Sequence, residues 1–97
     1  MLNINSNKND ALLELTLEGR LDTVTAPQLQ TAINEQLQGV DSISMDCKDL
    51  AYISSAGLRV LLTTRKSIPG ELALKNVDPS VREVLEITGF VDILTIE

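Results

Sequence analysis

The chain of 97 residues has no histidine, no tryptophan, one cysteine, one tyrosine and one phenylalanine. Each scarcity excludes a class of chemistry. Without histidine there is no imidazole metal ligand, and neither a Ser-His-Asp nor a Cys-His nucleophile can be assembled within the chain. Cys47 is alone and cannot close an internal disulfide. It shares the apolar register of Ile43 and Met45, the place of a small core residue in a reducing cytosol. Eight Lys and Arg stand against fourteen Asp and Glu, a net charge of −6. That balance argues against nucleic acid, whose affinity comes mainly from neutralised phosphates, and two aromatics provide no stacking platform. An acidic surface suits a protein partner with a basic face better than an anionic membrane. Apolar runs such as Val60 to Leu62 are far too short to cross a bilayer. Met1-Leu2-Asn3-Ile4 has no basic segment leading into an apolar one, so a cytoplasmic protein is expected. Asp22, Asp46 and Asp49 have no phosphate-cradling glycine loop beside them, and neither a metal nor a cofactor is expected.

What is present is regular hydrophobic patterning over the whole length, which implies one domain spanning residues 1–97. Leu2 to Asn5 reads as a short strand, and Ser6-Asn7-Lys8-Asn9-Asp10 as the loop that turns it back. Leu13, Leu15 and Leu17 alternate with Glu14, Thr16 and Glu18, the period of a half-buried strand. Thr25 and Gln28 have the spacing of a capping box, and Leu29, Ile33 and Leu37 line one face of a helix expected to stop at Gly39. Ser42 to Cys47 alternates again. The helix after Ser55 carries Leu58, Leu61, Leu62 and Arg65 at helical spacing until Pro69-Gly70 breaks it. Glu71 to Val77 reads as a strand. Asp78-Pro79 opens a third helix through Val81, Val84, Leu85 and Thr88, closed by Gly89, and Val91 to Ile96 is a terminal strand. The order β-β-α-β-α-β-α-β predicts an α/β fold with an N-terminal hairpin, two strand-helix-strand crossovers, parallel central strands in a mixed sheet, and helices on one main face.

Chemistry is concentrated in Tyr52-Ile53-Ser54-Ser55-Ala56-Gly57-Leu58, where two serines stand between a buried strand and an apolar helix. A helix start has unpaired N–H groups and the positive end of the backbone dipole, so a serine there either caps the helix or offers its hydroxyl at a place where a phosphate is stabilised. Phosphorylation adds about 1.5 to 2 negative charges and three acceptor oxygens without changing the fold. Gly57 in a first helical turn is unfavourable by roughly 1 kcal/mol relative to alanine unless something needs the space, as the close approach of a partner's backbone would. Leu58 suits the core by its spacing and a docking surface by its position.

Two segments bear a family resemblance. Asp49-Leu50-Ala51-Tyr52-Ile53-Ser54-Ser55-Ala56-Gly57-Leu58 resembles the phosphoacceptor signature of the STAS domain family, in its bacterial anti-sigma factor antagonist branch. Leu17-Glu18-Gly19-Arg20-Leu21-Asp22, followed by Thr25-Ala26-Pro27, resembles the same family's Gly-x-(Leu/Ile)-Asp element between the second strand and the first helix.

The resemblance implies that Ser55 is the phosphoacceptor, that Ser54 stands where the family usually has aspartate, and that Ala56 and Gly57 take the following small-residue and glycine positions. It further implies that Asp22, Ser54, Ala56, Gly57 and Leu58 serve partner binding and kinase recognition. Asp22 would lie near the acceptor loop, accepting hydrogen bonds from backbone amides or from the acceptor hydroxyl. The chain would not be an enzyme. Its unphosphorylated form would bind an anti-sigma factor that is also a serine kinase of the GHKL ATPase type and so release that kinase's client. Phosphate on Ser55 would end the complex, and a PP2C-type phosphatase would reset it. Serine in place of aspartate, together with a second helix about one turn short of familiar members, leaves another reading. In that reading the chain is a constitutive STAS accessory subunit of an ABC transporter ATPase in lipid trafficking. No aromatic or polar cluster marks a small-molecule site.

Overall fold

Leucine alternation at 13, 15 and 17 places all three side chains on one face of the strand β2 (Leu12–Leu21), where each is fully buried. A computed structural model describes all 97 residues and builds the rest of the molecule around that face. Strand β1 (Leu2–Asn9) pairs antiparallel with β2, and β3 (Ser42–Ile53), β4 (Leu72–Lys75) and β5 (Thr95–Ile96) follow in parallel, so that the sheet order is β1-β2-β3-β4-β5. Three parallel pairs need three crossovers rather than two. They are supplied by α1 (Ala26–Asn34), α2 (Ser55–Ser67) and α3 (Pro79–Ile87). The helices cover the leucine face, and the core joins Leu29 and Ile33 of α1, Leu58 and Leu61 of α2, and Val81 and Leu85 of α3 to Leu15, Met45 and Leu74 of the sheet.

Several elements differ from their sequence reading. Ser6 to Asn9 are strand, not loop: the antiparallel register runs unbroken from Leu2 opposite Gly19 to Asn9 opposite Leu12. Backbone pairing with β2 extends the strand past its apolar start, and the reversal is left to Asp10 and Ala11, with Asp10 at a left-handed φ of 54°. The strand read as ending at Cys47 continues to Ile53. Its register against β2 shifts between Thr16 and Glu18 and again between Gly19 and Arg20, so β3 carries extra residues there and its buried positions move from 43, 45 and 47 to 50 and 53. Bulges of this kind break period two while the pairing continues.

Thr25 is the N-cap of α1 but makes no side-chain cap bond, and Gln28 does not reach back to it. Instead the Gln28 amide donates to the carbonyl of Leu2 at 2.8 Å and ties α1 to the start of β1. Helix α1 ends at Asn34; Leu37 lies in the turn beyond it and packs partly against the core. The expected terminal strand from Val91 to Ile96 begins instead in a 3-10 turn (Phe90–Asp92), and β5 is reduced to two residues. The third helix starts as its sequence indicates: Asp78 caps it, accepting from Ser80 N at 3.0 Å, and Gly89 beyond its end has a left-handed φ of 80°. No helix is long and apolar enough to cross a membrane.

Candidate functional site

Parallel strands β2 and β3 end side by side, with Arg20 opposite Tyr52 and Leu21 opposite Ile53. The chain leaves β3 at Ser54, whose N–H donates to the carbonyl of Leu21 at 2.9 Å and fixes the strand end against its neighbour. Ser54 is extended (φ −102°, ψ 176°), and its Oγ accepts from Gly57 N at 3.4 Å, while its carbonyl accepts the first helical bond from Leu58 N at 3.0 Å. Ser54 is therefore the N-cap. Ser55 is the first residue of α2, exposed, with no hydrogen bond from its hydroxyl. The two serines thus differ: Ser54 caps the helix, and the Ser55 hydroxyl is left unengaged.

Gly57 and Leu58 are buried. A Cβ on Gly57 would stand 2.7 Å from Leu21 Cγ and 2.9 Å from Ile53 Cγ1, so the missing side chain lets α2 settle against the ends of β2 and β3. Its space is filled from within the molecule, not by a partner. Leu58 is 7% exposed and belongs to the core. Of the residues assigned to partner binding, only Ser54, Ala56 and Asp22 stay partly exposed, and Ala56 lines a cleft of about 270 Å³ between α1 and α2 with Thr23, Pro27, Gln30, Arg59 and Thr63.

Asp22 opens the loop that follows β2, next to Leu21, whose carbonyl holds Ser54. Its Oδ1 accepts from Val24 N at 3.1 Å and Thr25 N at 3.0 Å. The buried Thr25 hydroxyl accepts from Asp22 N at 2.9 Å and directs its proton to the Arg20 carbonyl at 2.8 Å, with Asp22 Oδ1 3.1 Å away. The bond from Thr25 N, opposed by partial desolvation, holds the Asp22 carboxyl below the usual carboxylate range. All these bonds lie within the loop; none runs from Asp22 to the Ser55 hydroxyl. Asp46 is separately engaged. The N–H of Lys48 donates to it at 3.0 Å and the Asn76 amide at 3.2 Å, and these bonds lower its pKa in that order. No three His, Cys, Asp or Glu side chains converge as metal ligands would.

Three further residues at this end of the sheet were not identified from sequence. Arg20 stacks over the Tyr52 ring at 4.2 Å and lies 4.0 Å from Asp22, and Val24, at the tip of the Asp22 loop, is 85% exposed. The only signal for Val24 is an apolar residue in a turn, and none exists for the Arg20–Tyr52 stack, because the bulges set which β3 residue faces Arg20. The site is an exposed hydroxyl at a helix start, flanked by a rigid loop with an apolar tip and by a cation on an aromatic ring. Chemically, such a surface presents one unengaged hydroxyl, a weak nucleophile, to solvent.

Known proteins resemble this chain over nearly its whole length. The STAS domain profile matches residues 3–97. BtrV of Bordetella bronchiseptica, provisionally described as an anti-sigma factor antagonist, is 37% identical over 99 residues, covering 98% of this chain and 85% of that protein. The anti-sigma-B factor antagonist of Staphylococcus aureus is 29% identical over 97 residues, covering 96% and 90%. Unphosphorylated SpoIIAA, another anti-sigma factor antagonist, superposes with a TM-score of 0.86 at 20% identity over 98% of this chain and 88% of its own. The phosphorylated form of Bacillus SpoIIAA gives 0.76 at 19% identity, covering 98% and 91%. At such identities the structures speak for the fold, while the profile and the BtrV match speak for ancestry: the chain belongs to the STAS domain family.

Proposed function

We propose that this chain is an anti-sigma factor antagonist that works as a phosphorylation-controlled partner switch, with Ser55 as the acceptor. The observation that carries the reading is the division between the two serines. Ser54 holds the helix, so the Ser55 hydroxyl is free and exposed. The antagonist roles named for BtrV, the Staphylococcus aureus protein and SpoIIAA support it, as does the existence of SpoIIAA in both phosphorylation states. The unmodified chain binds, in the cytoplasm, an anti-sigma factor that is itself a GHKL-type serine kinase, and frees that kinase's client. In the transfer, Ser55 Oγ loses its proton and forms a bond to the γ-phosphorus of ATP, whose bond to the ADP oxygen breaks. ATP, Mg²⁺ and catalysis belong to the kinase; this chain supplies the acceptor. The product carries about two more negative charges at the contact surface, which weakens the complex by repulsion and desolvation. A PP2C-type phosphatase restores the hydroxyl.

The test is the intact mass of wild-type and Ser55→Ala protein after incubation with ATP, Mg²⁺ and extract of the source cells in which the kinase is shown to be active. One phosphate on wild type alone is expected. No phosphate on either protein overturns the switch and favours a constitutive subunit, as in an ABC transporter ATPase assembly. Phosphate on both moves the acceptor away from Ser55.

A further inference from the structure

Arg59 is exposed, and no hydrogen bond or ion pair engages its guanidinium; the one ion pair in the molecule joins Arg20 to Asp22. It lies four residues after Ser55 in the same helix, and side chains at i and i+4 are neighbours on a helix surface. Helix α2 is also electrically unlike the rest of the chain. It carries Arg59, Arg65 and Lys66 and no acidic residue, in a protein of net charge −6. The other cation nearby, Arg20, is already held by Asp22 and stacked on Tyr52. Asp22, the acid in the loop after β2, is turned to the amides of Val24 and Thr25.

We propose that Arg59 is the internal counter-ion of a phosphate on Ser55, so that modification withdraws this free cation from the docking surface at the same time as it adds a dianion. The inference rests on Ser55 being the modified residue. A guanidinium presents paired N–H donors that match phosphate oxygens, and an i, i+4 partner reaches them without moving the backbone. The unmodified chain then shows a partner one free positive charge beside the acceptor. The modified chain shows a phosphate folded onto its own helix, with Arg59 no longer free for a carboxylate of the partner. Phosphorylation therefore acts twice on one contact.

Phosphoserine placed at position 55 by genetic encoding tests this with no kinase present, so a failure of the kinase reading and a failure of the counter-ion are separable. The second ionisation of the phosphate, ordinarily near pH 6, is titrated by ³¹P NMR in the otherwise unaltered protein and with Arg59→Gln, Arg59→Lys or Arg20→Gln. Pairing favours the dianion, so Arg59→Gln is expected to raise the phosphate pKa by about 0.2 to 0.4 unit, a shift that shrinks in 1 M salt. Arg59→Lys is expected to restore most of it, and Arg20→Gln to change it less. Equal titration curves with and without Arg59, or a larger effect at Arg20, overturn the proposal. Arg59 is exposed, so these variants fold; circular dichroism of each confirms that before titration.

Discussion

Ser54 and Ser55 are identical in chemistry and adjacent in sequence, and their substitutions are expected to differ in kind. Ser54→Ala removes the side-chain acceptor for Gly57 N and is expected to cost about 1 kcal/mol of stability in urea unfolding, whereas Ser55→Ala, outside the cap, should stay within about 0.5 kcal/mol. A reversed order of the two losses would refute the cap assignment. Gly57→Ala pushes a methyl against Leu21 and Ile53 and is expected to destabilise by about 1 to 3 kcal/mol, read from the same curves. Burial, reinforced by the charge of Asp46, pushes the Cys47 thiol up to about 12, so alkylation of the native protein near pH 8 should proceed only as fast as the fold opens. Labelling at the rate of a free thiol would contradict that burial.

Among the elements, β3 decides the geometry of the site, and it is the element least visible in the sequence. Alternation through Ile43, Met45 and Cys47 is a sheet signal; the bulged continuation through Leu50 and Ile53 has no fixed period and shows only once β2 lies beside it. The polar half of β1 is hidden for a related reason, since pairing of an edge strand rests on backbone bonds and leaves its side chains free to be Asn, Ser and Lys. Features that punctuate locally were legible: Asp78-Pro79 at a helix start, Gly89 past its end, and the serine pair at the start of α2. What Thr25 does was not, because its hydroxyl bonds back to Arg20 rather than forward into its helix. The β1–β2 turn offers a test at this scale. Asp10 holds a left-handed φ of 54°, so Asp10→Gly should be nearly neutral, and Asp10→Val should cost about 1 kcal/mol or more in thermal unfolding. Equal melting temperatures for the two would deny the strain.

For the molecule as a whole, one core of 23 residues draws on all three α-helices and on strands β1 to β4, which predicts a single cooperative unfolding transition. Its pH dependence follows from three carboxylates. Asp22, Asp46 and Asp78 are each held below their ordinary pKa, the first two chiefly by backbone N–H groups of Thr25 and Lys48, and Asp78 by the hydroxyl and N–H of Ser80. In the acid range the unfolded chain binds more protons at these positions, so their contribution is complete above the unfolded value of about 4 and is lost as pH falls through the lower folded values. Urea midpoints should be flat between pH 7 and 5 and fall below pH 4, with a shallower fall in Asp46→Asn; a midpoint that rises on acidification would reverse the sign. The Arg20–Tyr52 stack has an optical consequence as well. With no tryptophan in the chain and one tyrosine, all tyrosine emission arises from a ring under a guanidinium, beside the loop that leads into Ser55. The protein therefore carries a built-in fluorophore at the end of the sheet where α2 begins, and ultraviolet emission can follow any partner that docks there in real time, without any dye attached.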